Sequence, residues 1–427
     1  MFGARMRDAA MSPQETGRTS GLIDATADWL MDEALGDTGI ERLTEGCCAR
    51  LWAAGVPLYR VMIGYHTLHP LFTAFSYVWR RDAALITERH DERQPEAAAA
   101  FKRGPHGWML GAGVSYLRRR LTGPDALLDF PVLADLRDHG ATDYLGFIGP
   151  FVEKGVDGIL GSWTTDRESG FSDEEIGTLL RIQRRLAVAC KVTIKDQVAH
   201  DVLAAYLGRE ASESVLNGQI QRGDGRTMLA VLWYSDLRDS TRLSEAMPVD
   251  AFFALLNRYF EFSAGAVLAE GGRVVQFIGD AVLGTFPIGH SAAEHDACAA
   301  ALAAARRTKH ELERFNAERA GEGLPPLSLG IGLHVGDVKY GNIGVPERLQ
   351  FDVIGPAVNE VVRLEGLTKT LGRQILASGA FAHRVPIAWE PLGRYELRGF
   401  GEPREVFALR EHGLQEDHGP ALEARLG

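Results

Sequence analysis

Met228-Leu-Ala-Val-Leu-Trp-Tyr-Ser-Asp236 and Gly272-Arg-Val-Val-Gln-Phe-Ile-Gly-Asp-Ala-Val-Leu-Gly-Thr-Phe286 decide the fold of the C-terminal half. The first is a near-continuous apolar run, as a strand buried on both faces requires, and it delivers a carboxylate at its tip. The second is two β-rich runs flanking Gly279-Asp280, a two-residue hairpin signal that puts Asp280 at a turn. If that hairpin lies beside the first strand, Asp236 and Asp280 face each other. Like charges so placed raise one another's pKa. Divalent cations remove that cost, because Mg²⁺ and Mn²⁺ prefer carboxylate, water and phosphate oxygens, and two such ions can hold the attacking and leaving oxygens of a phosphoryl transfer.

Working outward, a helix is expected from about Val249 to Leu268, between the strand and the hairpin. A chain of 427 residues exceeds what one hydrophobic core usually serves, so two domains are expected. The net charge of −11 argues against a nucleic-acid partner, since backbone affinity comes from clustered Lys and Arg. Metal ions can still bring a polyphosphate to an acidic protein. Cys47, Cys48, Cys190 and Cys298 lack metal-ligand spacing, and the adjacent Cys47 and Cys48 are poorly placed for a mutual disulfide. With no apolar run long enough to span a bilayer and no signal-peptide core, the expectation is a soluble, cytoplasmic protein without a membrane partner.

Residues 1–20, polar and without apolar periodicity, read as a disordered tail, and residues 413–427 as a C-terminal one. Leu22, Ala25, Trp29, Leu30 and then Ile40, Leu43, Cys47, Leu51 recur at helical spacing around a Gly36-Asp37 break, which predicts two helices. Tyr59 to Gly64 and Ala74 to Trp79 read as paired strands, as do Tyr144 to Phe151 and Gly158 to Thr165 joined through Gly155-Val-Asp-Gly158. Ser172 is a good N-cap, with Glu175 three residues on to close a capping box, and a helical stripe runs from Glu174 to Tyr206. That stripe either pairs with its copy in a dimer or lies on its own domain. The polar, Gly-rich Asn217 to Arg226 marks a domain boundary.

The strand pair followed by GFSDEEIGTLLRIQRRLAVA (170–189) resembles the end of a GAF sensory domain. The resemblance implies a mixed α/β regulatory domain at 21–192, a helical linker at 193–225 and an unidentified small-molecule ligand. From about Met228 to Leu409 the chain resembles the class III nucleotidyl cyclases, on SDLRDSTRLSE (235–245), GGRVVQFIGDAVLGTFP (271–287), GLHVGDVKYGNIGVPERLQFDVIGPAVNEVVRLE (332–365) and ELRGFGEP (396–403). This implies an α+β catalytic domain at 226–412 with a ferredoxin-like βαββαβ core, assembled as a homodimer with sites between the chains.

By the family pattern, Asp236 and Asp280 bind two Mg²⁺ or Mn²⁺ ions, and Leu237 lends a backbone carbonyl. Ser240 and Thr241 belong to a turn whose backbone amides hold the polyphosphate. Asn359 orients the ribose and Arg363 stabilises charge on the α-phosphate, both from the opposite subunit, and preorganised charge of this kind is often a large catalytic term. Arg398 matches a contact to the terminal phosphates. Gln276 and Asp352 match the positions that choose the base. A carboxylate at 352 accepts a hydrogen bond from the adenine 6-amino group and meets the guanine 6-oxo group acceptor to acceptor, an unmade bond of roughly 1 to 3 kcal/mol.

The expected activity is conversion of ATP to cyclic AMP and pyrophosphate. The alternatives are a guanylate cyclase and a catalytically degenerate module that only reports ligand binding. Gln276 stands where adenylate cyclases usually have Lys, Asp239 where the phosphate-holding turn usually has Gly, and Ala281 where Gly usually follows the second aspartate. Asp239 adds a negative charge near the polyphosphate and is expected to weaken its binding or to demand more metal. His66 and His69 read as loop residues rather than haem or metal ligands, and Trp79, Trp108 and Trp163 as core residues rather than the lining of a sensor pocket.

Overall fold

The computed structural model describes residues 13–91, 93–151, 158–289, 291–385, 387 and 389–410. The chain divides into two units, Met1–Ala205 and Tyr206–Gly427. The first contains α1 (Pro13–Ala34), α2 (Ile40–Ala53), β1 (Arg60–His66), β2 (Ala74–Arg80), β3 (Ala83–His90), α3 (Pro95–Arg103), α4 (Pro105–Ala112), β4 (Tyr116–Arg120), α5 (Pro131–Asp138), β5 (Asp143–Pro150), β6 (Gly158–Thr165) and most of α6 (Asp173–Leu207). Its sheet has the order β3-β2-β1-β6-β5-β4, antiparallel throughout. Leu30 of α1, Leu43, Cys47 and Leu51 of α2, and Leu179, Ile182, Leu186 and Cys190 of α6 form one core with Ile63, Phe147, Ile159 and Trp163 of the sheet.

Both predicted strand pairs form, although the Gly155-Val-Asp connection lies outside the described residues. The capping box closes as read. The Ser172 amide donates to Glu175 Oε2 at 2.7 Å, and the Glu175 amide donates to Ser172 Oγ at 3.2 Å. Trp163 and Trp79 are core residues, whereas Trp108 is 44% exposed. His69 is a turn residue whose Nδ1 accepts from the Leu71 amide. All four cysteines are buried, and none forms a disulfide among the described residues.

One boundary differs from the sequence reading. The expected tail is helical from Pro13, with residues 1–12 outside the described residues. Gly17, Thr19 and Ser20 are poor helix formers. A helix nucleated by the docked Ile23, Ala27 and Leu30 propagates through them, and Pro13 suits its first turn. The helical stripe read from Glu174 to Tyr206 forms as α6, so the first part of the helical linker expected at 193–225 is the end of that helix. No Gly or Pro interrupts Thr178 to Leu207, so the helix runs 35 residues, and it stops at Gly208, whose φ is 81°. The expected C-terminal tail lies outside the described residues.

The second unit contains α7 (Arg209–Leu216), β7 (Gly225–Leu237), α8 (Ser240–Ala246), α9 (Val249–Ala269), β8 (Arg273–Ile278), β9 (Ala281–Pro287), α10 (Ser291–Gly321), β10 (Leu329–Val345), β11 (Arg348–Ile354), α11 (Pro356–Leu371), β12 (Ile375–Ser378), α12 (Gly379–Ala382), β13 (Trp389–Tyr395) and β14 (Arg404–Leu409). Its sheet runs β13-β14-β12-β10-β7-β9-β8, and β11 pairs with the far end of β10. Strands β7, β8, β9 and β10 with α9 and α10 form the βαββαβ core. The alternation of β7 explains its apolar run. Val231 and Trp233 pack with Tyr259 and Phe262 of α9, while Ala230, Leu232 and Tyr234 pack with Ala357 and Val361 of α11 on the other face.

Helix α11 rests on β10 through glycine. A Cβ at Gly332 would lie 2.8 Å from the Val361 carbonyl oxygen, and one at Gly336 would lie 2.6 Å from Ala357 Cβ. Side chains there would lift the helix away. A buried polar cluster fixes its other contacts. His334 Nδ1 hydrogen-bonds Ser378 Oγ at 2.8 Å and lies 3.5 Å from Glu360, which also meets Arg404 at 3.4 Å.

Burial, helped by the charges of Arg404 and Arg384, pushes the His334 imidazole down to about 4. The unfolded histidine therefore takes up a proton before the folded one does, and stability falls as pH drops from about 6.5 to about 4. The loss is expected to reach on the order of 3 kcal/mol at the acid end. Chemical denaturation across that window should show a steep pH slope that His334→Gln flattens; equal slopes would rule out this origin.

Candidate active site

Strand β7 ends in the pairing of Asp236 with Ala281, and Ile278 pairs with the same Ala281 across the hairpin. Gly279 and Asp280 are therefore the whole turn, and Gly279 supplies its positive φ of 65°. This register brings the Asp280 carboxyl to hydrogen-bonding distance of Asp236. By alternation, Asp236 shares the α11 face of β7 with Tyr234 and Leu232.

The environment disfavours a second charge. Burial first, then the hydrogen bond that protonated Asp236 donates to Asp280, and then the charges of Asp280 and Glu365 push the Asp236 carboxyl up to about 7, against the pull of the Leu237 amide. Asp236 Oδ1 is buried and has no hydrogen-bond partner among the described residues. An orphaned carboxylate oxygen beside a second carboxylate fits a divalent cation. Among the described residues no group of three or more His, Cys, Asp or Glu could hold a metal alone. The aspartates and the Leu237 carbonyl leave a shell that water and phosphate oxygens complete, as Mg²⁺ favours.

Ser240 and Thr241 open α8, directly after Asp239. Asp239 adopts φ 58° and ψ 27°, the left-handed region that glycine enters without strain and that Asp tolerates better than most residues. Its Oδ1 accepts from Lys369 Nζ at 3.0 Å, and Lys369 holds the carboxyl below its usual range, aided by the charges of Arg242 and Arg238. Lys369 and the buried Glu365 both come from the C-terminal half of α11. Sequence reading missed both, because nothing local to Asp236 or Asp239 shows that α11 crosses behind them.

Asn359 and Arg363, four apart on α11, are exposed, and neither side chain has a hydrogen bond or ion pair among the described residues. Gln276 sits on the edge strand β8, beside a register shift after Val274. Asp352 sits on β11 opposite Gly341, where burial raises its carboxyl; it accepts from the Val353 amide at 2.7 Å and from Gln350 at 3.4 Å. No hydrogen bond joins it to Gln276. Arg398 is exposed in the β13–β14 connection, likewise without a partner. The single chain brings Asp236, Leu237, Asp280, Ser240 and Thr241 to one end of β7, and Asn359 and Arg363 face solvent.

Residues 226–410 match the family described as Adenylate and Guanylate cyclase catalytic domain. Adenylate cyclase 1 of Rhizobium meliloti (strain 1021) is 33% identical over 180 residues, 41% of this chain and 26% of that protein. An adenylate cyclase of Anabaena cylindrica is 32% identical over 213 residues, 48% of this chain and 41% of that protein. The crystal structure of the adenylyl cyclase CyaB from P. aeruginosa aligns at 24% identity with a TM-score of 0.41, over 46% of this chain and 100% of that one. The chain's matches span between about a quarter and two fifths of these curated relatives' lengths. No helix among the described residues is long and apolar enough to cross a membrane.

The carboxylate pair makes a prediction about stability. At pH 8 without divalent metal, Asp236→Asn should melt higher than the native chain, because it removes a repelled charge. Added Mn²⁺ should raise the melting temperature of the native chain and leave the variant unmoved. A native chain indifferent to Mn²⁺ would show that the pair is not a cation site.

Proposed function

Residues 226–410 are a class III nucleotidyl cyclase catalytic domain, and on that premise we propose that the protein converts ATP to 3′,5′-cyclic AMP and pyrophosphate in a homodimer. The observation that carries the chemistry is the Asp236–Asp280 pair with its unpartnered buried oxygen. Bound Mg²⁺ or Mn²⁺, two per site, would supply Lewis-acid stabilisation of the polyphosphate and lower the pKa of the attacking 3′-hydroxyl. Asp236, Asp280 and the Leu237 carbonyl hold the ions. The backbone at Ser240 and Thr241 and the exposed Arg398 receive the phosphates.

Asn359 and Arg363 complete the site from the other chain, orienting the ribose and stabilising charge on the α-phosphate. Their exposure without a hydrogen bond or ion pair among the described residues supports this. Asp352 favours adenine through the 6-amino group, with Gln276 able to donate to N1. The first unit, with its antiparallel sheet and helices, is proposed to be a GAF-like sensor that acts on the catalytic unit through α6. Because the sites would lie between subunits, a small rotation would assemble or disrupt them.

The test is cyclic nucleotide formation by the full-length protein with ATP or GTP, in Mg²⁺ and in Mn²⁺. Asp280→Ala, Asn359→Ala and Arg363→Ala should each lower the rate at least a hundredfold. Mixing the Asp280→Ala chain with the Arg363→Ala chain should restore activity through one intact site per heterodimer. No recovery on mixing would exclude shared sites, cyclic GMP as the main product would reassign the substrate, and no product at all would favour a degenerate module.

A further inference from the structure

Asp239 is the only non-glycine residue with positive φ among the described residues. A carboxylate immediately before Ser240 and Thr241 also sets a negative charge where, on the reading above, a polyphosphate must settle. Both features count against the residue, in conformation and in charge. The structure gives it a counter-charge from another element: Lys369 Nζ lies 3.0 Å from Asp239 Oδ1.

Lys369 stands in the last turn of α11, the helix that glycine packing fixes on β10. The ion pair therefore ties the Asp239 turn to an element whose position is set independently of it. Both side chains are more than half exposed, so the pair stays open to solvent and to salt.

We propose that Lys369 is a positioning residue for the phosphate-binding turn, holding and neutralising the Asp239 carboxylate so that the turn still accepts a polyphosphate. Lys369 acts through Asp239 and does not contact the substrate. This rests on the nucleotidyl cyclase reading and adds to it the device by which this chain carries an acidic residue in that turn. The consequence is specific: loss of Lys369 harms phosphate binding only while Asp239 is present.

The experiment is a double-mutant cycle in the full-length protein with Lys369→Ala, Asp239→Gly and the double variant. Dissociation constants for inorganic tripolyphosphate in Mn²⁺ are measured by calorimetry, alongside KM and kcat for ATP. Lys369→Ala should weaken tripolyphosphate binding and raise KM by about three- to tenfold, with kcat within about twofold. In the Asp239→Gly background the same substitution should change neither constant, and 1 M salt should shrink the difference. Equal weakening in both backgrounds would overturn the proposal by showing that Lys369 meets the phosphates itself, and no weakening in either would overturn it as a surface pair without effect. A native chain that binds tripolyphosphate with this pattern but forms no cyclic nucleotide would sink the cyclase reading and leave the role of Lys369 standing.

Discussion

Two carboxylates held side by side are the constraint on which the catalytic unit depends. At an effective dielectric of about 20, unit charges 4 Å apart repel by about 4 kcal/mol, a large share of the net stability of a typical domain. Left to itself, such a pair would separate. Here Asp236 and Asp280 cannot, because the first ends a strand buried on both faces and the second occupies a two-residue turn whose flanks, Ile278 and Ala281, pair with each other while Ala281 also pairs with Asp236. The long β7–β10 ladder on the other side of β7 removes any slack in register. Burial, with the neighbouring Asp280 adding to it, therefore appears as a raised Asp236 pKa rather than as a movement apart.

The opposite wall of the site is α11, and it is placed by the absence of side chains. Gly332 and Gly336 let the helix approach the backbone of β10, while the cluster of His334, Glu360, Ser378 and Arg404 ties its buried face to β12 and β14. One helix consequently carries two sets of groups. Its C-terminal half brings Glu365 and Lys369 against the carboxylates of its own chain, while Asn359 and Arg363 on the N-terminal half are exposed and make no hydrogen bond or ion pair among the described residues.

Much of this was legible in the sequence where the determinants are local. The apolar run before Asp236, the Gly279-Asp280 turn and the Ser172/Glu175 capping box each form as their residues dictate, since each depends on hydrogen bonds or periodicity within a few positions. What was not legible depends on contacts between distant segments. The helix at Pro13 begins in residues of poor propensity because later residues dock. The partner of Asp239 lies 130 residues away in sequence, so the substitution looked like an uncompensated defect until the fold placed Lys369 beside it. The likeness to known cyclases named Asp239 as unusual; only the geometry explains how the chain carries it.

The sheet also grades how freely its positions can change. Positions on β7 and β10 are locked by neighbours on both sides, and substitutions there are felt throughout the unit. Gln276 and Asp352 sit elsewhere, on an edge strand beside a register shift and on a ribbon that pairs only with the end of β10. Neither has a place in the core. Substitution at these two positions is expected to disturb the fold less than substitution on β7 or β10, so under the function proposed above base preference could change while the carboxylate pair stays fixed. On that proposal nucleotide choice is the evolvable variable of this architecture, separated from the carboxylate pair by the distance from a sheet's centre to its margin.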